Sequence, residues 1–431
     1  MSIRFTALTV REGDAFLLED NGWKCLFDSG VDESIIDLLK YKGIDCLDLA
    51  ICSHNDSDHA NGFIALFNAN FPIKEIWLPG LWANVLKFVA DNCKNRREVV
   101  LDNEDFDGEL DSLFSEESVD DDSFERDLAF LAEMKNTEAL KESCNRLHDK
   151  LADHITNNPG ILENLLERNF QIHFKGEDKE VYSREQWVDY VEEALRDYYP
   201  WGAFWVRHKS RNGYPHNIKP FKLLLHRIQQ RPDIAHSMIK ESLDLKLGRI
   251  IDLATLARKK GCTIRLFEPT LSCTNIAIDY GFVSLNSSKM CKISMPKSGM
   301  AYMYLLSLTQ ENEYSLVFEY SKSDVQLIRF SADSDCTCQS VSPYPGSIIV
   351  TAPHHGSAAN ANVYNAIQGN DLIWVRSDKR TNKRPCMEFK NRNNKFCLAC
   401  DRYNFVSEIC FEYNHVLKKW DYVRGEQCRC K

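Results

Sequence analysis

Along the first eighty residues, apolar positions change period in a way that predicts alternating strands and helices. "IRFTALTV", "AFLLED" and "WKCLFDSG" alternate in the two-residue rhythm of half-buried strands. Asn21-Gly22 stands between the second and third runs, and that pair predicts a hairpin because both residues tolerate positive φ. "ESIIDLLKYKG" has helical spacing and stops at Gly43, whereas "CLDLAICSH" is a nearly continuous apolar run, as in a strand buried on both faces. A short helix over "FIALFNAN" and a strand over "IKEIWLPG" follow.

The rhythm then breaks. From Leu101 to Asp127 there are thirteen acidic residues against one basic residue, Arg126, which predicts a solvated loop or linker. Helical patterns come next: "FERDLAFLAEMK", "TEALKESCNRLHDKLADHI", "GILENLLERNF", "SREQWVDYVEEALRDYY" with a capping-box start at Ser183 and Gln186, "AHSMIKESL" and "LATLARKKG". Beyond Gly261 strand patterns return in "CTIRLFEP", "AYMYLLSLT", "YSLVFEYS", "VQLIRFSADSD", "GSIIVTAPHHGS" and "DLIWVRSD". This order predicts one α/β domain split by a mainly helical insertion: residues 1–95 and 256–390 on one side, 96–255 as the insertion, and 391–431 as a Cys-rich C-terminal extension.

The composition adds limits. With 44% hydrophobic and 27% charged residues the chain reads as globular. No run approaches the ~18 apolar residues of a membrane span, and "MSIRFTALTVREGD" lacks a secretory pattern, so the expectation is a cytoplasmic protein with no membrane partner. The net charge of -10 argues against a surface coated for non-specific DNA binding. Sixteen cysteines in a reducing compartment are expected as free thiols or metal ligands. Cys397 and Cys400 in "FCLACD", with Cys428 and Cys430 in the terminal "CRC", could supply four thiolates to a structural zinc; Cys410 lies between them. The competing reading leaves them as free cysteines.

The densest chemistry is "ICSHNDSDHANGF", residues 51–63. His54, Asp56, Asp58 and His59 follow a buried strand, on the loop where open α/β sheets place their sites. Imidazoles with carboxylates suit zinc, manganese or iron, and such a group can serve two adjacent ions.

This H-x-D-x-D-H pattern, with a small residue and glycine after it, resembles the metallo-β-lactamase superfamily, in the variant found in ComEC-like hydrolase domains. "VREGDAFLLED", "LFDSG", "RFSADSD" and "TAPHHGS" match further motifs of that family in the same order. The resemblance spans roughly residues 1–90 and 256–385 and implies an αββα sandwich. It also implies one metal site of His54, Asp56 and His355 and another of Asp58 and His59, with Asp333 bridging. Asp28 is then a supporting group behind the ligands, and His354 faces substrate as a donor or general acid.

One position departs from the family. A histidine is expected just before a proline after the next strand, and here Arg384 precedes Pro385. Guanidinium cannot ligate a cation. Three outcomes stay open: a weaker second metal, a single metal, or Arg384 standing in for the second charge and forking onto a phosphate.

The resemblance implies a metal-dependent hydrolase using one or two Zn2+ or Mn2+, most naturally a phosphodiesterase or nuclease with Asp58, His354 and Arg384 in catalytic roles. Nine Lys or Arg against three acidic residues over Arg376–Arg402 agree with a nucleic-acid substrate. In "YYPWGAFWVRHKSRNGYPHNIKPFK" aromatic and basic residues interleave as in single-strand binding. The simpler reading makes those aromatics the core of the insertion, which could also dock a protein partner. Two alternatives remain: an ester, lactone or thioester hydrolase, and a regulatory or scaffold subunit of a multi-protein defence or DNA-processing assembly.

Overall fold

The computed structural model describes residues 2–95, 114–119, 121–157, 232–270, 275–290, 293–296, 315–323, 325–334, 343–377, 385–400, 408–425 and 427–430. Arg384, the aromatic and basic stretch 198–222, and the helical patterns "GILENLLERNF" and "SREQWVDYVEEALRDYY" lie outside them.

Strands β1 (Ile3–Leu8), β2 (Phe16–Asp20) and β3 (Trp23–Phe27) form an antiparallel meander. Its second turn is Asn21-Gly22, both at positive φ, the geometry that matches a two-residue hairpin to strand twist. Helix α1 (Ser34–Tyr41), β4 (Leu47–Ile51), α2 (Ser57–Asn68), β5 (Ile73–Pro79) and α3 (Leu81–Asn95) follow. Part of the acidic stretch expected as a solvated loop is regular: β6 (Phe114–Val119) and the start of α4 (Asp121–Met134) fall within it. Pairing with β11 (Ile293–Pro296) accounts for β6, a partner that local charge cannot reveal.

Helices α5 (Glu138–Asn157) and α6 (Pro232–Lys259) precede β7 (Thr263–Pro269), β8 (Ile276–Ala277), β9 (Phe282–Ser284) and β10 (Ser287–Lys289). Helix α6 runs unbroken through residue 255 and packs on α2, α4 and α5. Then come β12 (Phe318–Lys322), β13 (Val325–Phe330), β14 (Tyr344–Thr351), α7 (Ala361–Ala366), β15 (Gly369–Arg376), α8 (Met387–Lys390) and β16 (Lys395–Cys397). The chain closes with β17 (Glu408–Asn414) and β18 (Lys419–Arg424).

Among the described residues this is a mixed α/β chain with two large mixed sheets. One runs β10-β7-β5-β4-β3-β2-β1-β17-β18 and the other β16-β15-β14-β13-β12-β9-β8. Strand β5 pairs directly with β7, so residues 80–262 leave and rejoin the sheet between neighbouring parallel strands. Residues beyond 391 supply strands to both sheets rather than standing apart.

The sheets face each other across an aromatic core. Phe5, Phe16, Phe27 and Trp77 of the first meet Phe282, Phe318 and Phe330 of the second, with Phe27 and Phe330 stacked at 4.5 Å. On the outer face of the first sheet, Phe63, Leu66 and Phe67 of α2 pack with α3 and α6; on that of the second, Tyr364 and Phe389 pack on Trp374. No helix among the described residues is long and apolar enough to cross a membrane.

This layering fixes where loops emerge. Strands β3, β4, β13 and β14 all end at one edge, so residues 28, 54–59, 333 and 354–355 meet there although 327 positions separate the first from the last. Removing the stacked ring that joins the sheets should be costly. Phe330→Ala is expected to lower unfolding stability by about 3–5 kcal/mol, and Tyr41→Ala, at an exposed position, by less than ~0.5. Urea unfolding of both variants checks this; equal midpoints would mean that the two sheets do not share one core.

Candidate metal centre

The cluster at 54–59 is not a simple loop. His54 and Asn55 lie beyond β4, Asp56 is the extended N-cap residue of α2, and Asp58 and His59 belong to its first turn. An aspartate at an N-cap ordinarily bonds the free amides of the first turn, yet Asp56 makes no such bond. Its carboxylate turns towards His54 Nε2, at 3.6 Å, and Lys246 Nζ, at 3.2 Å. The close approach of Gly13 to this turn requires glycine: φ is +88°, and a Cβ there would lie 1.7 Å from the Asp58 carbonyl oxygen.

Hydrogen bonds behind the histidines decide which nitrogen each presents. Asp28 Oδ2 lies 2.8 Å from His59 Nδ1, and Asp14 Oδ1 lies 3.0 Å from His355 Nδ1. A carboxylate only accepts, so both Nδ1 atoms carry hydrogen. Ser53 Oγ donates to Asp28 Oδ2 at 2.8 Å and therefore accepts from His54 Nδ1 at 2.9 Å. When neutral, all three rings therefore turn a bare Nε2 lone pair inward, the state in which histidine binds a metal.

Those lone pairs converge. His59 Nε2 and His355 Nε2 are 3.2 Å apart, close to the ~3.3 Å edge of a tetrahedron whose Zn–N bonds are about 2.0–2.1 Å. Asp58 Oδ2 lies 3.1 Å from His355 Nε2. Asp333 reaches both sides: Oδ1 is 3.4 Å from His59 Nε2, and Oδ2 is 3.7 Å from His54 Nε2 and 3.4 Å from His354 Nε2. His54 Nε2 and Asp333 Oδ1 are buried with no hydrogen-bond partner among the described residues, which is costly unless an ion engages them. The residues present therefore fit a metal.

Two donor groups result: His54, Asp56 and Asp333, and His59, His355 and Asp333 with Asp14 behind. His355 thus joins His59, not His54 and Asp56 as the family resemblance implied, because Asp14 grips its Nδ1 and aims the ring. His354 sits on the His54 side of Asp333. The turn carrying this pair places both His354 and His355 at positive φ, 46° and 52°, a backbone state costing roughly 1–2 kcal/mol per residue.

Charge is concentrated here. Asp14, Asp28, Asp56, Asp58 and Asp333 surround four imidazoles and Lys246. Burial alone would lower the His59 imidazole, but Asp333, Asp28 and Asp58 outweigh it and hold it well above the usual histidine range. His355 is raised likewise against burial by Asp14 and Asp333. Burial opposes charge on Asp333, yet His354, His59 and His355 keep its carboxyl well below the usual range. Asp58 is also depressed, burial being overcome by His59 and His355. A centre this rich in carboxylate takes up positive charge, as protons or as metal.

Three contributors carry no signal in the ligand motif. Asp14 sits inside the "VREGDAF" run; a buried acid closing an apolar strand entry was the available sign. Ser53 was hidden by its ordinary chemistry. Lys246 comes from α6, 190 positions along the chain from Asp56, and no local pattern announces it. The same helix clamps the loop through Arg249, which bonds Asn61 Oδ1 at 2.8 Å and the Asn55 carbonyl. Separately, Cys397, Cys400, Cys428 and Cys430 form a group that could hold an ion, while Cys410 lies elsewhere, accepting from Thr6 Oγ1.

Compared with known proteins, the chain matches no family model and no curated protein.

Two predictions concern this centre. Asp14→Ala should weaken zinc affinity about 10- to 100-fold, the usual effect of removing a carboxylate behind a histidine ligand. Calorimetric titration of chelator-treated protein checks it, and unchanged affinity would detach Asp14 from the site. The second concerns pH. In metal-free protein the raised His59 and His355 stabilise the fold fully below about pH 6.5, and this stabilisation is lost as pH rises through their folded-state values. Zinc displaces those protons, so the melting temperature gained on adding zinc should grow from about pH 5 to 8. A gain independent of pH would show that zinc binds elsewhere.

Proposed function

We propose that this chain is a metal-dependent hydrolase of metallo-β-lactamase type that cleaves phosphodiester bonds, with nucleic acid as the favoured substrate class and the cytoplasm as its compartment. The observation that supports it most is Asp333, which offers one oxygen to His59 and the other to His54 and His354. These groups would hold Zn2+ or Mn2+, which would supply hydroxide at neutral pH and positive charge for the leaving oxygen.

The chain's own residues do the rest. Asp14, Asp28 and Ser53 hold the rings rigid, so no reorganisation is needed as charge develops. Asp58, with its side chain 30% exposed, is the most open carboxylate of the centre and stays ionised at its solvent side. His354, turned towards Asp333 Oδ2 with Nδ1 held by Asn360, can donate to a leaving oxygen. Lys246, itself buried, brings a cation beside Asp56, where a phosphate would need one; this favours a phosphodiester over an ester, lactone or thioester.

One feature favours a second reading. Lys246 occupies an oxygen of Asp56, a ligand of the His54 group, and so partly satisfies that half as a second metal would. A one-metal centre, or a regulatory or scaffold subunit in a larger assembly, accommodates this.

Zinc- or manganese-loaded protein should hydrolyse bis(p-nitrophenyl) phosphate and single-stranded DNA faster than p-nitrophenyl acetate. Asp333→Ala should abolish turnover, and Lys246→Met should lower kcat about 10²-fold if the ammonium stabilises developing charge. Loaded protein with no turnover on any of the three substrates would leave the scaffold reading standing.

A further inference from the structure

Beyond the histidine centre, four thiols converge on one point. Cys397 ends β16, Cys400 closes the following 3-10 turn (Leu398–Cys400), and Cys428 and Cys430 come from the chain's last residues. A bridge between Phe396 and Gln427, with Cys428 N–H donating to the Lys395 carbonyl at 2.8 Å, brings the two segments side by side. One sulfur from each of the four lies within 4.8 Å of every other, and all are free thiols. Cys400 Sγ is 3.8 Å from Cys428 Sγ and 3.3 Å from Cys430 Sγ, near the ~3.8 Å edge of a tetrahedron built on Zn–S bonds of about 2.3 Å. Backbone amides already point at the sulfurs: Arg429 N–H donates to Cys400 Sγ and Cys430 N–H to Cys428 Sγ. Such donors stabilise thiolate.

A fully buried arginine connects this cluster to the histidine centre. Arg376 is the last residue of β15 and the register partner of Cys397 across the β15–β16 pair. Its Nη1 donates to Cys397 Sγ at 3.0 Å, and its Nε donates to the His355 carbonyl oxygen. A guanidinium is always protonated and needs nearby negative charge when buried. A dication with four thiolates carries a net double negative charge, which the guanidinium on Cys397 Sγ would face.

We propose that Cys397, Cys400, Cys428 and Cys430 hold zinc as a tetrathiolate, and that Arg376 ties this centre to the His355 backbone, so that loading the thiolate site sets how His355 presents its ring. Binding forms four S–Zn bonds and releases to solvent the protons of whichever of the four thiols still carry one, with no change of oxidation state. Arg376 is a positioning residue: it fixes one of the two strained residues of the 354–355 turn from behind. The thiolate half stands independently of the hydrolase reading; the coupling half rests on His355 being a ligand.

The test uses metals alone and no substrate. Full-length zinc-loaded protein treated with an organomercurial should release one equivalent of zinc to a colorimetric indicator, and Cys400→Ser/Cys430→Ser protein should release none. Cobalt-loaded wild type should show thiolate-to-cobalt charge transfer that the double variant lacks. Absence of mercurial-released zinc and of charge transfer in wild type overturns the tetrathiolate. For the coupling, Arg376→Met should keep its thiolate zinc while zinc affinity at the His59–His355 centre falls about tenfold, with partial rescue in Arg376→Lys. Unchanged affinity in folded Arg376→Met protein overturns the coupling. Should that variant fail to fold, mercurial-treated wild type gives the same reading: weakened binding at the histidine centre supports the coupling, and unaltered binding overturns it. Because no arm measures turnover, a failed hydrolase assay bears on neither the tetrathiolate nor the coupling.

Discussion

Asp28 is the group on which the candidate metal centre turns. It is fully buried at the end of β3, at φ 56°, and it accepts from Ser53 N–H, Ser53 Oγ and His59 Nδ1. Through the serine it also fixes His54. One carboxylate therefore sets the tautomers of two rings, and Asp14 does the same for His355. With the outward nitrogens occupied, the inward ones converge, and His54 Nε2 meets no hydrogen-bond partner among the described residues. What remains is a pocket of lone pairs and carboxylate oxygens whose most favourable occupant is a cation.

The rest of the molecule can be understood as what permits such a concentration of charge. Buried carboxylates repel one another and lose hydration, a cost that only a rigid surrounding and a positive partner offset. The aromatic layer between the sheets supplies the rigidity, since it locks the strand ends from which the loops emerge. A positive partner, Lys246, reaches Asp56 from α6, while Arg249 and Arg376 hold the backbone carbonyls of Asn55 and His355. The segment between β5 and β7 is thus part of the site's wall and not merely an appendage to the sheet.

The altered position before Pro385 has a structural counterpart even though Arg384 itself lies outside the described residues. Pro385 packs against Gly356, where a Cβ would lie 2.9 Å from the proline Cβ, so the chain following that position returns to the histidine turn. The His59 group nevertheless assembles from described residues alone, with His355 and Asp58 beside it. The family resemblance would leave the second group short of one histidine; among the described residues His355 lies beside His59, in a group that could hold an ion.

The alternation of apolar residues was enough to predict the hairpin at Asn21-Gly22, the buried β4, and the return of strands after Gly261, because those patterns record burial face by face. Candidate ligands at 54–59, 333 and 354–355 were legible for a related reason: clustered imidazoles and carboxylates are improbable without a purpose, and they fall at strand ends. Sequence also flagged the four terminal cysteines. Which donor serves which group was not legible, since it depends on ring orientation, and Asp14 sets that orientation from 341 residues away. Nor could local pattern place Lys246 beside Asp56, give β6 its partner, or carry β17 into the first sheet. Those facts are contacts between distant segments. A linear pattern states which face a residue hides, but only the packed chain decides what it hides against.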